Sequence, residues 1–140
     1  MNIKMEVKIK MKMGGHRNSP TRDILIEILQ KAHSPLSVPE IQKTLNKQDK
    51  LLNKTTVYRE IQKLIVHGII REIYLGTDKT RYEIVDGEHH HHIMCTSCKK
   101  VDKIPLDDGI DKKERQIAKS LNYTNINHSL EFFGLCKNCN

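Results

Sequence analysis

Between residues 19 and 68 the apolar positions recur at helical spacing in three blocks. Ser19-Pro20-Thr21-Arg22 supplies a hydroxyl cap and a proline at the first helical position. Ile24, Leu25, Ile28 and Leu29 then share one face, which predicts a helix to about Ala32. His33-Ser34-Pro35 interrupts it. Ser37-Val38-Pro39-Glu40 reads as a capping box in which Glu40 reaches back to the cap amide, ahead of a helix that carries Ile41 and Leu45 and frays near Lys47. The third block starts at Lys54, turns Val57, Ile61, Leu64 and Ile65 inward, and stops at Gly68. From there the period falls to two. Ile69 to Leu75 and Thr80 to Ile84 read as strands around the turn residues Gly76-Thr77-Asp78-Lys79. Three short helices followed by a hairpin predict a winged helix-turn-helix.

The remainder is patterned differently. Glu88 to Cys95 reads as a strand and Val101 to Ile104 as its return. Asp107-Asp108-Gly109 precedes a helix from about Ile110 to Leu121, with Ile110, Ile117, Ala118 and Leu121 expected inward and Asn122 at its end. Residues 125–129 and 130–135 read as extended. At the other end of the chain, Ile3 to Met13 alternates apolar residues with lysine, compatible with an edge strand, a basic arm or a tail. The expectation is an α+β protein: a winged-helix domain over residues 1–85, with 1–13 set apart as an arm, and a small α/β domain over residues 86–140. So small a second core calls for support from a metal and a partner subunit.

Charge sharpens this division. The net charge is +7, and residues 1–85 hold 16 Lys/Arg against 9 Asp/Glu, whereas residues 86–140 hold 8 of each. The excess therefore lies in the winged-helix part, as expected of a nucleic-acid binder. The exposed side of the third helix offers Thr55, Thr56, Tyr58, Arg59 and Lys63. In this architecture that helix enters the major groove, where hydroxyls suit phosphate oxygens and arginine reaches guanine edges. No apolar run approaches the roughly 20 residues of a membrane span, and Ile3 to Met13 does not read as a signal peptide, so a cytoplasmic protein is expected.

All four cysteines, and five of the eight histidines, belong to the second part, four of the five in the run His89 to His92. Cys95-x-x-Cys98 and Cys136-x-x-Cys139 match one tetrahedral zinc site; the competing reading is two disulfides, which suits a secreted chain. His89 to His92 run directly into the first pair. On a strand their side chains alternate, His89 and His91 to one face, His90 and His92 to the other, so one strand can serve two metal sites. Neutral imidazole suits zinc, iron, nickel and copper alike.

Together these features resemble the ferric uptake regulator family, which includes zinc and peroxide sensors. The resemblance covers nearly everything from Gly14 to Cys139. It is carried by Gly15-x-Arg17-x-Ser19-x-x-Arg22, Thr55-Thr56-Val57-Tyr58-Arg59, the His/Cys strand, Asn127-His128-Ser129-Leu130 and the final Cys-x-x-Cys. It implies a homodimeric, metal-dependent repressor of operator DNA, with Arg17, Thr55, Thr56, Tyr58 and Arg59 toward the duplex and structural zinc on the four cysteines. By position it places His89, His91, Asp111 and His128 in a metal site of the dimerisation domain. It places Glu83, His90 and His92 in an inter-domain sensor site for iron(II), manganese or zinc. Where the family usually has a further sensor histidine this chain has Pro35, which leaves His33 as the fourth ligand. Lys103 stands at the place of a carboxylate sometimes used there, with Asp102 adjacent, and Val85 at that of a zinc-sensor cysteine.

Other readings remain open at this level. A zinc-uptake or peroxide-stress regulator would belong to the same family. A zinc-stabilised nucleic-acid-binding module would lack sensing. A zinc hydrolase is disfavoured because no His-Glu-x-x-His motif is present, and no small-molecule substrate is expected.

Overall fold

The computed structural model describes residues 6–7, 10–12, 14–77, 79–87, 89–106 and 109–140. Asp78, Glu88, Asp107, Asp108 and part of the Ile3–Met13 stretch, each given a place above, lie outside the described residues. The chain forms two compact units, Met1–Asp86 and Gly87–Asn140.

In the first unit, α1 (Pro20–Lys31), β1 (Leu36–Ser37), α2 (Val38–Lys47), α3 (Lys54–Val66), β2 (Ile70–Ile73) and β3 (Arg81–Ile84) follow in order. The sheet order is β1-β3-β2, antiparallel throughout, with Leu36 opposite Tyr82 and Arg71 opposite Glu83. This is the winged-helix arrangement, three helices and a β wing. Each helix starts on a side chain that satisfies backbone amides otherwise left unpaired. The Ser19 hydroxyl accepts from the Arg22 amide at 3.4 Å, the Asn53 carbonyl oxygen accepts from the Thr56 amide at 2.8 Å, and the Ser37 amide donates to Glu40 at 2.7 Å. At the other end of α3, Gly68 takes φ 66°, a left-handed conformation that glycine adopts without a Cβ clash.

The core of this unit joins Leu25, Ile26, Ile28 and Leu29 of α1 to Val38, Ile41 and Leu45 of α2 and to Val57, Ile61 and Leu64 of α3. Ile70, Tyr82 and Ile84 of the sheet close it. Two expectations need correction. Ile24 and Ile65 are only partly buried, and Ile26, not expected to face inward, is fully buried beside Leu25. The N-terminal stretch, where described, is helical at residues 6–7 and 10–12 rather than extended. Val7 and Met11, four residues apart and therefore on one helical face, are buried in the same core. A strict apolar alternation also repeats every four residues, so it fitted both periods. The polar pair Arg22 and Glu60 is buried within this unit as well, joined at 3.0 Å, with Lys63 on the second carboxylate oxygen at 2.9 Å.

In the second unit, β4 (His91–Cys95), β5 (Val101–Ile104), α4 (Ile110–Leu121) and β6 (Glu131–Gly134) form a sheet of order β5-β4-β6 with one helix. The histidine strand is central: it pairs antiparallel with β5 (His92 opposite Lys103) and parallel with β6 (His92 opposite Glu131). Residues 125–129 form no strand. Asn122 ends α4 in the left-handed conformation, its amide bonded to the Ala118 carbonyl. The apolar face of α4 is not buried, contrary to expectation: Ile117 and Leu121 are 47% and 62% exposed, and no residue of the helix is buried. One short helix beside three strands has too little apolar surface of its own to cover that face.

Glu40 caps α2 and also accepts from Arg81 Nη1 at 2.9 Å. Partial burial alone would raise its pKa, but the hydrogen bonds from the Ser37 amide and hydroxyl and the Arg81 charge outweigh it, so the carboxyl lies below its usual 4.5. Its folded-state pKa being depressed, the stabilisation is complete above about pH 5 and is lost as pH falls through the folded value. Glu40→Gln is expected to flatten the acid limb of a stability–pH curve by no more than about 1 kcal/mol, since the carboxylate is partly solvated. A wild-type curve and a variant curve that run parallel below pH 5 would contradict this.

Candidate metal centres

The four cysteines come together because β4 ends on Cys95 while parallel β6 runs beside it and leads to Cys136. Their sulfurs lie within 4.8 Å of one another. The Cys98 and Cys136 sulfurs are 3.7 Å apart and all four cysteines are free. A disulfide requires about 2.05 Å. Two sulfurs held tetrahedrally at about 2.3 Å from one zinc would stand about 3.8 Å apart. The cluster fits zinc, not a cystine pair.

Its electrostatics agree. The Cys136 amide (3.4 Å) and the Cys98 amide (3.5 Å) both point at Cys95 Sγ, and these donors bring its pKa down to about 6. Cys139 is pushed up to about 11: a hydrogen bond with Ser97 would lower it, but the neighbouring Cys136 and Cys98 sulfurs outweigh that effect. Thiols this close resist joint ionisation, and a divalent cation is what allows them all to be thiolates.

The strand begins at His91 rather than ahead of His89, yet the histidines still pair alternately, His89 with His91 and His90 with His92. His89 and His91 approach with Nε2 atoms 3.0 Å apart. The His128 ring lies 5.3 Å and 5.4 Å from them, centroid to centroid, and donor atoms of the three lie within 4.8 Å of one another. The first turn of α4 adds Asp111, its Oδ1 3.9 Å from His89 Nδ1. All four residues of the expected dimerisation-domain site are thus neighbours. A fifth, Glu114, was not anticipated: its Oε1 is 2.7 Å from His128 Nδ1, and Asp111, Glu114 and His128 also form a possible ligand group. Three residues past Asp111, it shares that face of the helix, a spacing visible in the sequence that acquires meaning only once His128 is found beside it.

On the other face, the His90 and His92 rings are 5.0 Å apart, His92 buried and His90 half-buried. Glu83 is a buried residue of β3, and Arg71 of β2 grips its Oε1 at 2.6 and 2.8 Å. His33 lies in the exposed bend after α1 and belongs to none of the ligand groups among the described residues.

In the first unit α3 exposes Thr55, Tyr58 and Arg59, with Thr56 half-buried, and Arg17 is exposed ahead of α1. Lys54, not singled out from sequence, stands 5.9 Å over the Tyr58 ring. It also lines, with Lys43 and Lys47 of α2, a groove of about 610 Å³ at the entrance to α3. These lysines strengthen the basic character of that surface.

Removing one thiolate tests the cysteine cluster. Cys136→Ser is expected to abolish the tightly retained zinc measured by atomic emission and to lower the thermal midpoint by more than about 5 °C. Unaltered zinc content in this variant would count against a four-thiolate site.

Comparison with known proteins supplies the context for these clusters. A profile of the ferric uptake regulator family matches residues 13–133. The ferric uptake regulation protein of Helicobacter pylori is 28% identical over 138 residues, covering 99% of this chain and 91% of that protein. The solved H. pylori ferric uptake regulator, whose structure reveals three functional metal binding sites, superposes with a TM-score of 0.78 at 28% identity, over 98% of this chain and 91% of that one. The ferric uptake regulator of Francisella tularensis, solved with iron, gives 0.73 at 28% identity, over 89% and 95%. With the profile spanning most of its length, the chain belongs to the ferric uptake regulator family.

Proposed function

We propose that the protein is a metal-responsive transcriptional repressor that binds operator DNA as a homodimer in the cytoplasm. The observation that carries this reading is the His89–His92 segment that leads into the central strand β4, where His89 pairs with His91 and His90 with His92, in a chain that also holds a basic winged-helix unit. The four cysteines hold structural zinc. His89, His91 and His128, with Asp111, hold a second ion. Glu83, His90 and His92, with His33 as the fourth donor, form the sensor site. Nitrogen and oxygen donors there suit iron(II) or manganese, and zinc competes well for them.

The mechanism is a shift of population. Glu83 belongs to the wing, and His90 and His92 belong to the second unit, so an ion bound by all three selects one relative orientation of the two. In a dimer this fixes the spacing of two α3 helices, and a palindromic operator reads that spacing. Arg17, Thr55, Thr56, Tyr58 and Arg59 make the DNA contacts. The exposed apolar residues of the second unit, Ile117, Leu121, Phe132 and Phe133, supply the surface a partner subunit would cover. Ion and operator then raise each other's affinity by the same factor.

The test uses an operator selected from random-sequence DNA. Protein retaining only its thiolate-bound zinc is expected to bind that operator at least about tenfold more weakly than protein supplied with manganese, a difference of about 1.4 kcal/mol. His90→Ala with His92→Ala should hold the protein at the weak level whatever metal is added. Equal operator affinity with and without metal would rule out the corepressor mechanism.

A further inference from the structure

His128 stands between two sets of donors: the His89 and His91 rings at the start of β4, and Asp111 and Glu114 from the first two turns of α4. Its Nδ1 faces Glu114 Oε1 at 2.7 Å, a short, charge-assisted separation, with each side chain only 21% exposed. A carboxylate can only accept, so the nitrogen facing it carries the hydrogen. In the neutral ring the lone pair then resides on Nε2 alone.

We propose that Glu114 is a positioning residue for the metal centre of His89, His91 and His128. It fixes His128 in the Nδ1–H tautomer, so that Nε2 is the donor offered to the ion. This rests on the reading that the three histidines hold an ion. Imidazole is a good ligand only with a bare nitrogen aimed at the metal, and a second acceptor behind the ring supplies both the tautomer and the aim. Asp111 is poorly suited to this task, being 58% exposed in its side chain and lying instead near His89 Nδ1. Glu114 is the more shielded of the two carboxylates, and it reaches His128 from an adjacent turn of the same helix. The centre is thereby tied to α4 twice, through Asp111 toward His89 and through Glu114 behind His128.

The experiment uses the full chain with its thiolate-bound zinc retained and no other metal. Long-range proton–nitrogen spectra of histidine-labelled protein, with the His128 signals assigned by their loss in His128→Asn, should show the Nδ1–H form. Glu114→Ala should shift His128 toward the Nε2–H form. Cobalt(II) titration followed by absorption should then show affinity of the histidine centre about 10–100-fold weaker in Glu114→Ala. Glu114→Gln keeps an acceptor oxygen without the charge, so it should fall between the two and guards against a misfolded alanine variant. An Nε2–H ring in the wild-type protein, or cobalt affinity unchanged in both variants, would overturn the assignment. Wild-type protein that takes up no cobalt at the histidines would overturn the ion-binding reading itself, whereas the tautomer spectra report on Glu114 separately.

Discussion

The second unit is organised by the hydrogen-bonded extension of β4. Ladder bonds to β5 and to β6 hold β4 extended with a fixed register and send His91 and His92 to opposite faces, and His89 and His90, just ahead of the strand, pair with them ring against ring. A slip of one residue would exchange the two faces and undo both clusters at once. The same pairing places Cys95 at the end of β4, beside the residues that follow β6, so that a local strand geometry also decides which thiols meet. Register, more than any single side chain, is the constraint from which the donor sets follow.

Around that strand the two kinds of cluster are supported differently. The thiols gather on tight turns whose backbone amides point at Cys95, so backbone dipoles begin the ionisation that a cation completes. Among the imidazoles, His89 and His128 have side-chain partners from α4. That helix buries none of its residues within the chain, yet it carries both Asp111 and Glu114. These two carboxylates face the histidines, while Ile117 and Leu121 are exposed.

Much of this was legible in the sequence, because it depends on local periodicity. The caps at Ser19 and Ser37, the stripe of α3, the alternation of the histidines and the end of α4 at Asn122 each need only a few neighbouring residues to be decided. What escaped depends on distant partners. β1 is two residues long and exists only because β3 pairs with it. Val7 and Met11 became helical core residues although their alternation with lysine fits a strand equally well. The α4 stripe was correctly apolar, but patterning cannot say whether such a face is covered by the same chain or by another. Glu114 was overlooked because a carboxylate on a charged helix is ordinary until a histidine is seen against it.

In the proposed function, the His89–His92 segment binds ions on two opposite faces independently. Metal content measured by native mass spectrometry at saturating manganese, in protein that keeps its thiolate-bound zinc, tests it most directly. His89→Ala with His91→Ala should lose one ion, His90→Ala with His92→Ala should lose a different one, and the four changes together should lose both. Loss of both ions from either pair alone, or of none from the combined variant, would contradict the account.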